Sequence, residues 1–424
     1  MNTNEEKLAL KLPNLSYDLI VIGGGAAGMM AAGRAAERGK HVLLLEKNNY
    51  LGEKLKITGG GRCNVTNAEE DEHTLLRHYG EAKQFLHSPF SQFGVKDTFS
   101  FFESRGLPLV VQAGKRAFPH TEKAVDVFRI LKSYLDKGNV EIRTNSAVTS
   151  IVRKEGHIEK VVTKDAEFIA STYILATGGK SHPETGSTGD GFFWLKELGH
   201  EVHEPTPTIV PLRTKDAWIK ALAGVSVEFM KITFFVNGKK KLSLKGKILF
   251  THFGLSGPLI LNTAGKVADL LHEGAVTARI DIFPDMDLGA LNKKVVDTFD
   301  TNKNKLLKNV FRHIAPAGTG SAILALLETI NPDKKVHSVT KEERKQMVDL
   351  LKALPVHITG LMGFDKAVVA DGGIALSEVH AKTMQSRLFD NLYVTGDLLH
   401  INRPSGGYSL QLCWTTGYVA GSNV

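Results

Sequence analysis

Cysteine is nearly absent: Cys63 and Cys413 are the only two in 424 residues, and neither stands in the C-x-x-C spacing of dithiol chemistry. So few thiols point to a reducing compartment, and the expectation is a cytoplasmic protein. Long apolar runs are missing too. The stretch "SAILALLETI" at 321–330 falls well short of the roughly 20 residues that span a bilayer, so no membrane span is expected. The opening "MNTNEEKLALKLPNLS" has neither the basic start nor the apolar centre of a signal peptide. No zinc-ligand spacing and no serine-nucleophile elbow occurs, so neither a metal site nor a serine hydrolase is expected. Charge of one sign is not dominant: 53 basic against 45 acidic residues give +8, which reads as a mildly basic surface. With 42% apolar and 23% charged residues the composition is that of a globular protein, and the length implies two or three domains.

What is abundant is glycine in particular places. In "YDLIVIGGGAAGMMAAGRAAERGKHVLLLEK", the apolar run Tyr17 to Ile22 reads as a strand and leads directly into Gly23, Gly25 and Gly28 in G-x-G-x-x-G spacing. Ala26 to Arg38 follows as a helix rich in small residues, stopped by Gly39, and "HVLLLE" is a second strand ending at Glu46. Each part has a mechanical job in binding a dinucleotide. Gly23 makes the tight turn, Gly25 lets a pyrophosphate approach the main chain, and Gly28 lets helix and strand pack. The helix start offers N–H groups to phosphate, and Glu46 is suited to accept hydrogen bonds from ribose hydroxyls.

Two further strands end in small residues. "ASTYILATGG" carries a strand Thr172 to Leu175 followed by Ala176, Thr177, Gly178 and Gly179, and "NLYVTGDLL" carries Leu392 to Val394 followed by Thr395, Gly396 and Asp397. Open parallel sheets bind ligands at this end of their strands.

These three segments resemble the two-dinucleotide-binding-domain flavoproteins. More narrowly, "KITGGGRCNVTN" and "GGYSLQLCWTTGYVAG" are similar to the BaiN and aminoacetone-oxidase-like (HI0933-like) family of FAD-dependent oxidoreductases. The resemblance covers nearly the whole chain. It implies an α/β fold: a Rossmann-like FAD-binding domain with an inserted β-subdomain and a small helical subdomain. The implied contacts to FAD come from Gly23, Gly25, Ala26, Ala27, Gly28, Glu46 and Lys47, and from the following loop through Lys54, Thr58, Gly59, Gly60, Gly61, Arg62, Cys63 and Asn64. Val148, Ala176, Thr177, Gly178, Gly179, Gly396, Asp397, Gly407, Tyr408, Ser409 and Gln411 complete the set.

Within that resemblance the bare backbone of Gly59, Gly60 and Gly61 would let N–H groups approach pyrophosphate and flavin, Arg62 would meet phosphate or substrate charge, and Asn64 would fix the loop. Gly406 and Gly407 make a turn into a small-residue helix, Tyr408 to Ala420, whose start points toward the cofactor. Asp397 stands where relatives often carry glutamate, and Ser409 where asparagine is usual. The two cysteines read as packing residues.

The motifs divide the chain. A discontinuous FAD domain takes 1–204 and 366–424, a β-rich insert takes 205–258 and 353–365 with an Asn237-Gly238 hairpin turn, and a mostly helical subdomain takes 259–352. His252, within "LFTHFGLSGPLIL", and His120, His182 and His400 are candidate proton donors, although packing or solvation is the ordinary fate of each. No single catalytic residue is assigned. The expected function is transfer of a hydride between a small-molecule substrate and flavin N5. No second G-x-G-x-x-G unit occurs downstream, so oxygen or transiently docked NAD(P)H is the other partner. An FAD-containing RNA-modification protein is the alternative, suggested by the lysines of "TNKNKLLKNVFRH", though no aromatic stacking pattern accompanies them.

Overall fold

The structure, a computed structural model, describes residues 17–424; the stretch 1–16, read above for a signal peptide, lies outside the described residues. By contacts the chain separates into two units, one formed by the segment up to Pro205 together with Asp371–Val424, the other by Thr206–Ala370.

In the first unit the run YDLIVI forms the strand Tyr17–Ile22, five of its six side chains buried, as a strand covered on both faces requires. It lies at the middle of a five-stranded parallel sheet. The order is Leu392–Val394, Ala170–Leu175, Tyr17–Ile22, Val42–Leu45, Glu141–Arg143. From the central strand the chain goes first to one side, to Val42–Leu45, and later to the other, to Ala170–Leu175. This reversal opens a crevice at the carboxyl ends of the strands, where such sheets bind ligands. The exits carrying Gly23, Ala176–Gly179 and Thr395–Asp397 therefore stand on three adjacent strands.

The helix Ala26–Glu37 buries Ala27, Gly28, Ala31, Ala32 and Ala35. Its other close neighbour is the last helix, Tyr408–Ser422. A Cβ at Gly417 would lie 2.4 Å from the Ala27 carbonyl oxygen and one at Gly421 2.3 Å from that of Ala31. The small residues of both helices are thus a packing device that brings their backbones together.

In the second unit six strands close into a barrel: Leu212–Thr214, Gly254–Ser256, Lys239–Thr251, Ser226–Val236, Val276–Asp281 and Leu354–Leu361. The hairpin turns at Asn237 and Gly238, both at positive φ (49° and 77°), and pairs Val236 with Lys239. The separate helical subdomain expected over 259–352 needs correction. Val276–Asp281 from that range is a barrel strand, and Leu291, Val295, Phe299 and Met347 of its helices share one apolar core with Ile232 and Phe234 of the barrel. Helical periodicity marks the helices but not the surface they cover.

Candidate functional site

The start of the first helix is bare. Gly23 N–H donates to the Leu45 carbonyl at 2.8 Å, fixing the turn beside the second strand. At Gly28 a Cβ would sit 1.9 Å from the Gly23 carbonyl oxygen, so only glycine lets the turn fold back on the helix. Gly25 differs: its φ is −82°, which any residue adopts, and a Cβ there would meet no protein atom within 4 Å. No side chain caps this helix and no acidic residue stands in its first turn. A helix start of this kind offers its first N–H groups to an anion. Ala26 and Ala27 supply two of them.

Glu46, 7% exposed, receives Gly24 N–H on one carboxylate oxygen and Asn48 N–H on the other, both at 2.8 Å. Each oxygen keeps acceptor capacity for a further donor. Ser146 N–H donates to the Glu46 carbonyl at 2.9 Å, which brings the segment leading to Val148 alongside. Lys47 turns elsewhere: its Nζ donates to Thr188 Oγ1 at 2.5 Å and Asp190 Oδ2 at 2.8 Å.

The glycines at 59–61 follow the short helix Glu53–Ile57 with φ of 61°, 67° and 83°, and Cys63 is left-handed too at 59°. Side chains at Gly60 or Gly61 would meet no protein atom within 4 Å, so backbone conformation is what the chain itself demands there. The turn is held by Cys63 N–H donating to the Thr58 carbonyl at 2.9 Å and by Thr58 Oγ1 donating to the Lys54 carbonyl at 2.9 Å. Asn64 donates its amide to Ala117 and Thr66 carbonyls and accepts Gly407 N–H at 3.0 Å, tying this loop to the last helix. Arg62 is at the surface, over the Phe118 ring and 3.3 Å from Glu122.

Beyond the third exit lies a buried ionic cluster that the sequence reading missed. Arg403, 3% exposed, donates from Nη1 to the Ile401 carbonyl at 2.7 Å, from Nε to Ser409 Oγ at 3.0 Å, and from Nη2 to Asp397. Lys54 Nζ lies 3.7 Å from the other oxygen of Asp397 and donates to Ser181 Oγ at 2.5 Å. Burial alone would raise the Asp397 pKa; the Arg403 and Lys54 charges outweigh it and hold the carboxyl below its ordinary value. Gly179 packs against Asp397, and Gly396 against Ala27 of the first helix. An arginine inside a loop gives no periodic signal, and its acid partner lies six residues away in a turn; "RPSGG" reads only as a bend.

Gln411 does not face open space. It is fully buried, accepting from Thr66 Oγ1 at 2.6 Å and Thr98 Oγ1 at 3.0 Å and donating to Thr415 Oγ1 at 3.0 Å. Tyr408 is buried against Tyr79 and His78. Burial pushes the Cys63 thiol up, and pushes that of Cys413 to about 12, with Asp397 adding to the effect. Both cysteines are free, Cys63 buried and Cys413 partly buried.

The candidate histidines are dispersed. His120 is exposed, His182 pairs with Glu184 at 2.8 Å, and His400 lies 3.5 Å from Asp371 and stacks on His203. His252 belongs to the second unit, edge-on to Phe253. Elsewhere Ser386, His200 and Glu378 form a hydrogen-bonded chain, at 3.1 and 2.7 Å. It is a brace and not a nucleophile: Ser386 Oγ accepts Leu388 and Phe389 N–H at 3.0 and 3.1 Å, which occupies both its lone pairs. The lysines behind the nucleic-acid alternative stand among acids, Lys303 with Asp300 and Lys308 with Asp333.

Comparison with known proteins agrees with this fold. Residues 17–423 match the family described as HI0933-like protein Rossmann domain. The chain is 30% identical over 409 residues, 95% of this chain and 97% of the relative, to a 3-dehydro-bile acid delta(4,6)-reductase of Clostridium scindens. It is 27% identical over 411 residues, 96% and 98% of the two chains, to a ribosomal RNA dihydrouridine synthase of Haemophilus influenzae. A 3-ketosteroid-delta4-(5alpha)-dehydrogenase from Rhodococcus jostii RHA1, solved with 4-androstene-3,17-dione, shares the fold. Its TM-score is 0.53 at 14% identity, with 98% of this chain and 97% of that one covered.

Proposed function

This chain belongs to the HI0933-like family of FAD-dependent oxidoreductases, and we propose that it moves a hydride from NAD(P)H, by way of flavin N5, to a carbon–carbon double bond conjugated with a carbonyl in a small molecule. The observation that carries the reading is the alignment of three small-residue exits on adjacent parallel strands beside an uncapped helix start.

Bound FAD supplies the two-electron chemistry. The chain's part is to hold and orient it. Gly25, Ala26 and Ala27 offer main-chain N–H groups and room to the pyrophosphate, and Glu46 offers its remaining acceptor capacity to the ribose of the ADP half. Ala176, Thr177, Gly178, Gly179 and Gly396 would present thin backbone to the rest of the cofactor, and Val148, which follows the segment tied to Glu46 through Ser146, would border it. Gly59 and Gly60 carry no side chain that would obstruct their N–H groups, whereas Gly61 N–H is spent within the turn on the Ile57 and Thr58 carbonyls at 3.3 and 3.2 Å. The residues present fit FAD, and Glu46 would distinguish it from FMN, which lacks the adenosine and its ribose.

Support for the substrate class comes from the full-length relative named as a 3-dehydro-bile acid delta(4,6)-reductase, a reductase of a small molecule; the relative named as a ribosomal RNA dihydrouridine synthase is the reason RNA is included in the test. A cytoplasmic location suits a nicotinamide donor that docks transiently. The test is anaerobic stopped-flow mixing with NADH and NADPH, followed by a 3-oxo-4-ene steroid, ribosomal RNA or oxygen. The expected result is bleaching of the flavin absorbance by a nicotinamide and its rapid return with the steroid. Return with oxygen alone would make the protein an oxidase, and return with RNA alone would favour the nucleic-acid reading.

A further inference from the structure

Among the described residues Arg403 combines near-complete burial with permanent charge, and its three hydrogen bonds hold together the segment between the third strand exit and the last helix. One goes to Asp397 at the exit of Leu392–Val394, one to Ser409 in the first turn of the last helix, and one to the intervening main chain. Lys54, from the segment that leads into the 59–61 turn, closes the cluster from the other side through Asp397 and Ser181. Two cations and one carboxylate leave one excess positive charge, because a guanidinium does not deprotonate in a protein. An excess of this kind, largely withdrawn from water, favours a nearby anion. Gly179, at the exit of Ala170–Leu175, packs on Asp397, so the excess sits directly behind two of the three exits.

Resting on the FAD reading above, we propose that Arg403 is a positioning residue whose excess charge, shared with Lys54 and only half offset by Asp397, sets the cofactor's midpoint potential by favouring the negative charge gained on reduction. It also explains the pairing of Asp397 with Ser409: the shorter acid and the hydroxyl are each bridged by one guanidinium. A rigid dipole at the helix start is then the smaller influence, and the full charge beside it the larger.

The test is a redox titration of FAD-loaded protein against reference dyes, across four variants chosen by charge. Arg403→Met brings the cluster from one excess positive charge to none, and its potential is expected to fall, by about tenfold in the relative affinity for the two redox states, or about 30 mV for a two-electron couple. Asp397→Asn adds a positive excess and is expected to raise it by a similar amount. Arg403→Met with Asp397→Asn restores the original excess and the parent potential, and Arg403→Lys keeps it. A merely structural brace would lower thermal stability and FAD retention in the first three alike and would not move the potential in opposite directions. Potentials that shift the same way in Arg403→Met and Asp397→Asn, or not at all, overturn the inference while leaving FAD binding intact. A parent protein that takes up no FAD overturns both readings. If Arg403→Met fails to fold, the upward shift in Asp397→Asn and the parent value in the double variant still decide the matter.

Discussion

At the start of the first helix Gly25 has an ordinary extended backbone and empty space beside it, whereas at the start of the last helix Gly407 has φ of 102° and main chain pressed against it. A Cβ on Gly407 would lie 2.3 Å from the Thr66 carbonyl carbon, and its N–H is already taken by Asn64. Both positions are glycines that open a helix beside the crevice. Nothing in the chain itself demands glycine at Gly25, as the proposed approach of a cofactor would explain, whereas at Gly407 the chain's own backbone demands it. A glycine motif in a sequence therefore says that bare backbone is needed; only the neighbours say for whom.

Substitution should separate the two sites cleanly. Gly407→Ala must move Thr66 and accept a strained φ, so the apoprotein is expected to lose about 3 kcal/mol, seen as a clear drop in melting temperature. Gly25→Ala carries neither cost and should leave the apoprotein's melting temperature unchanged, while weakening FAD by on the order of 100-fold as phosphate contacts worth about 1.5–3 kcal/mol each are lost. If both variants lose stability alike, or Gly25→Ala keeps full affinity, the contrast collapses. Glu46→Gln is the intermediate case. Its charge-assisted bonds to Gly24 and Asn48 N–H weaken together with any to the ribose, so stability and FAD affinity should each fall by about 1 kcal/mol.

The smallest effect lies far from the crevice. Burial lowers the His200 pKa, with Glu378 opposing. The folded state then binds fewer protons than the unfolded one, so this contribution is intact above the unfolded value of about 6.5 and is lost as pH falls below it. Melting of the apoprotein between pH 7 and 5 should fall more steeply in the parent than in His200→Asn. Equal slopes would remove His200 from the account.

Much of the cofactor unit was legible because its signals are local. Tyr17–Ile22 and Leu392–Val394 have the bounds that their apolar runs imply, and Gly39 ends the first helix where a left-handed residue was expected. Less legible were contacts whose partners lie far off in sequence. Gln411 reads as an unpartnered polar side chain in the sequence, yet Thr66 and Thr98 hold it, and Arg62 has Glu122 and Phe118 as partners that its own segment does not announce. The barrel was hidden for a related reason: Val276–Asp281 pairs with Ser226–Val236 and Leu354–Leu361, but nothing in its own six residues names those partners.

The central claim is that the crevice at the carboxyl ends of the sheet reads the ADP half of a flavin dinucleotide. Equilibrium titration of the apoprotein with FAD and with FMN tests it most directly. The account predicts that FAD binds at least about 100-fold tighter than FMN, since only FAD reaches both the helix start and Glu46. Equal affinity for the two flavins, or binding of neither, would contradict it.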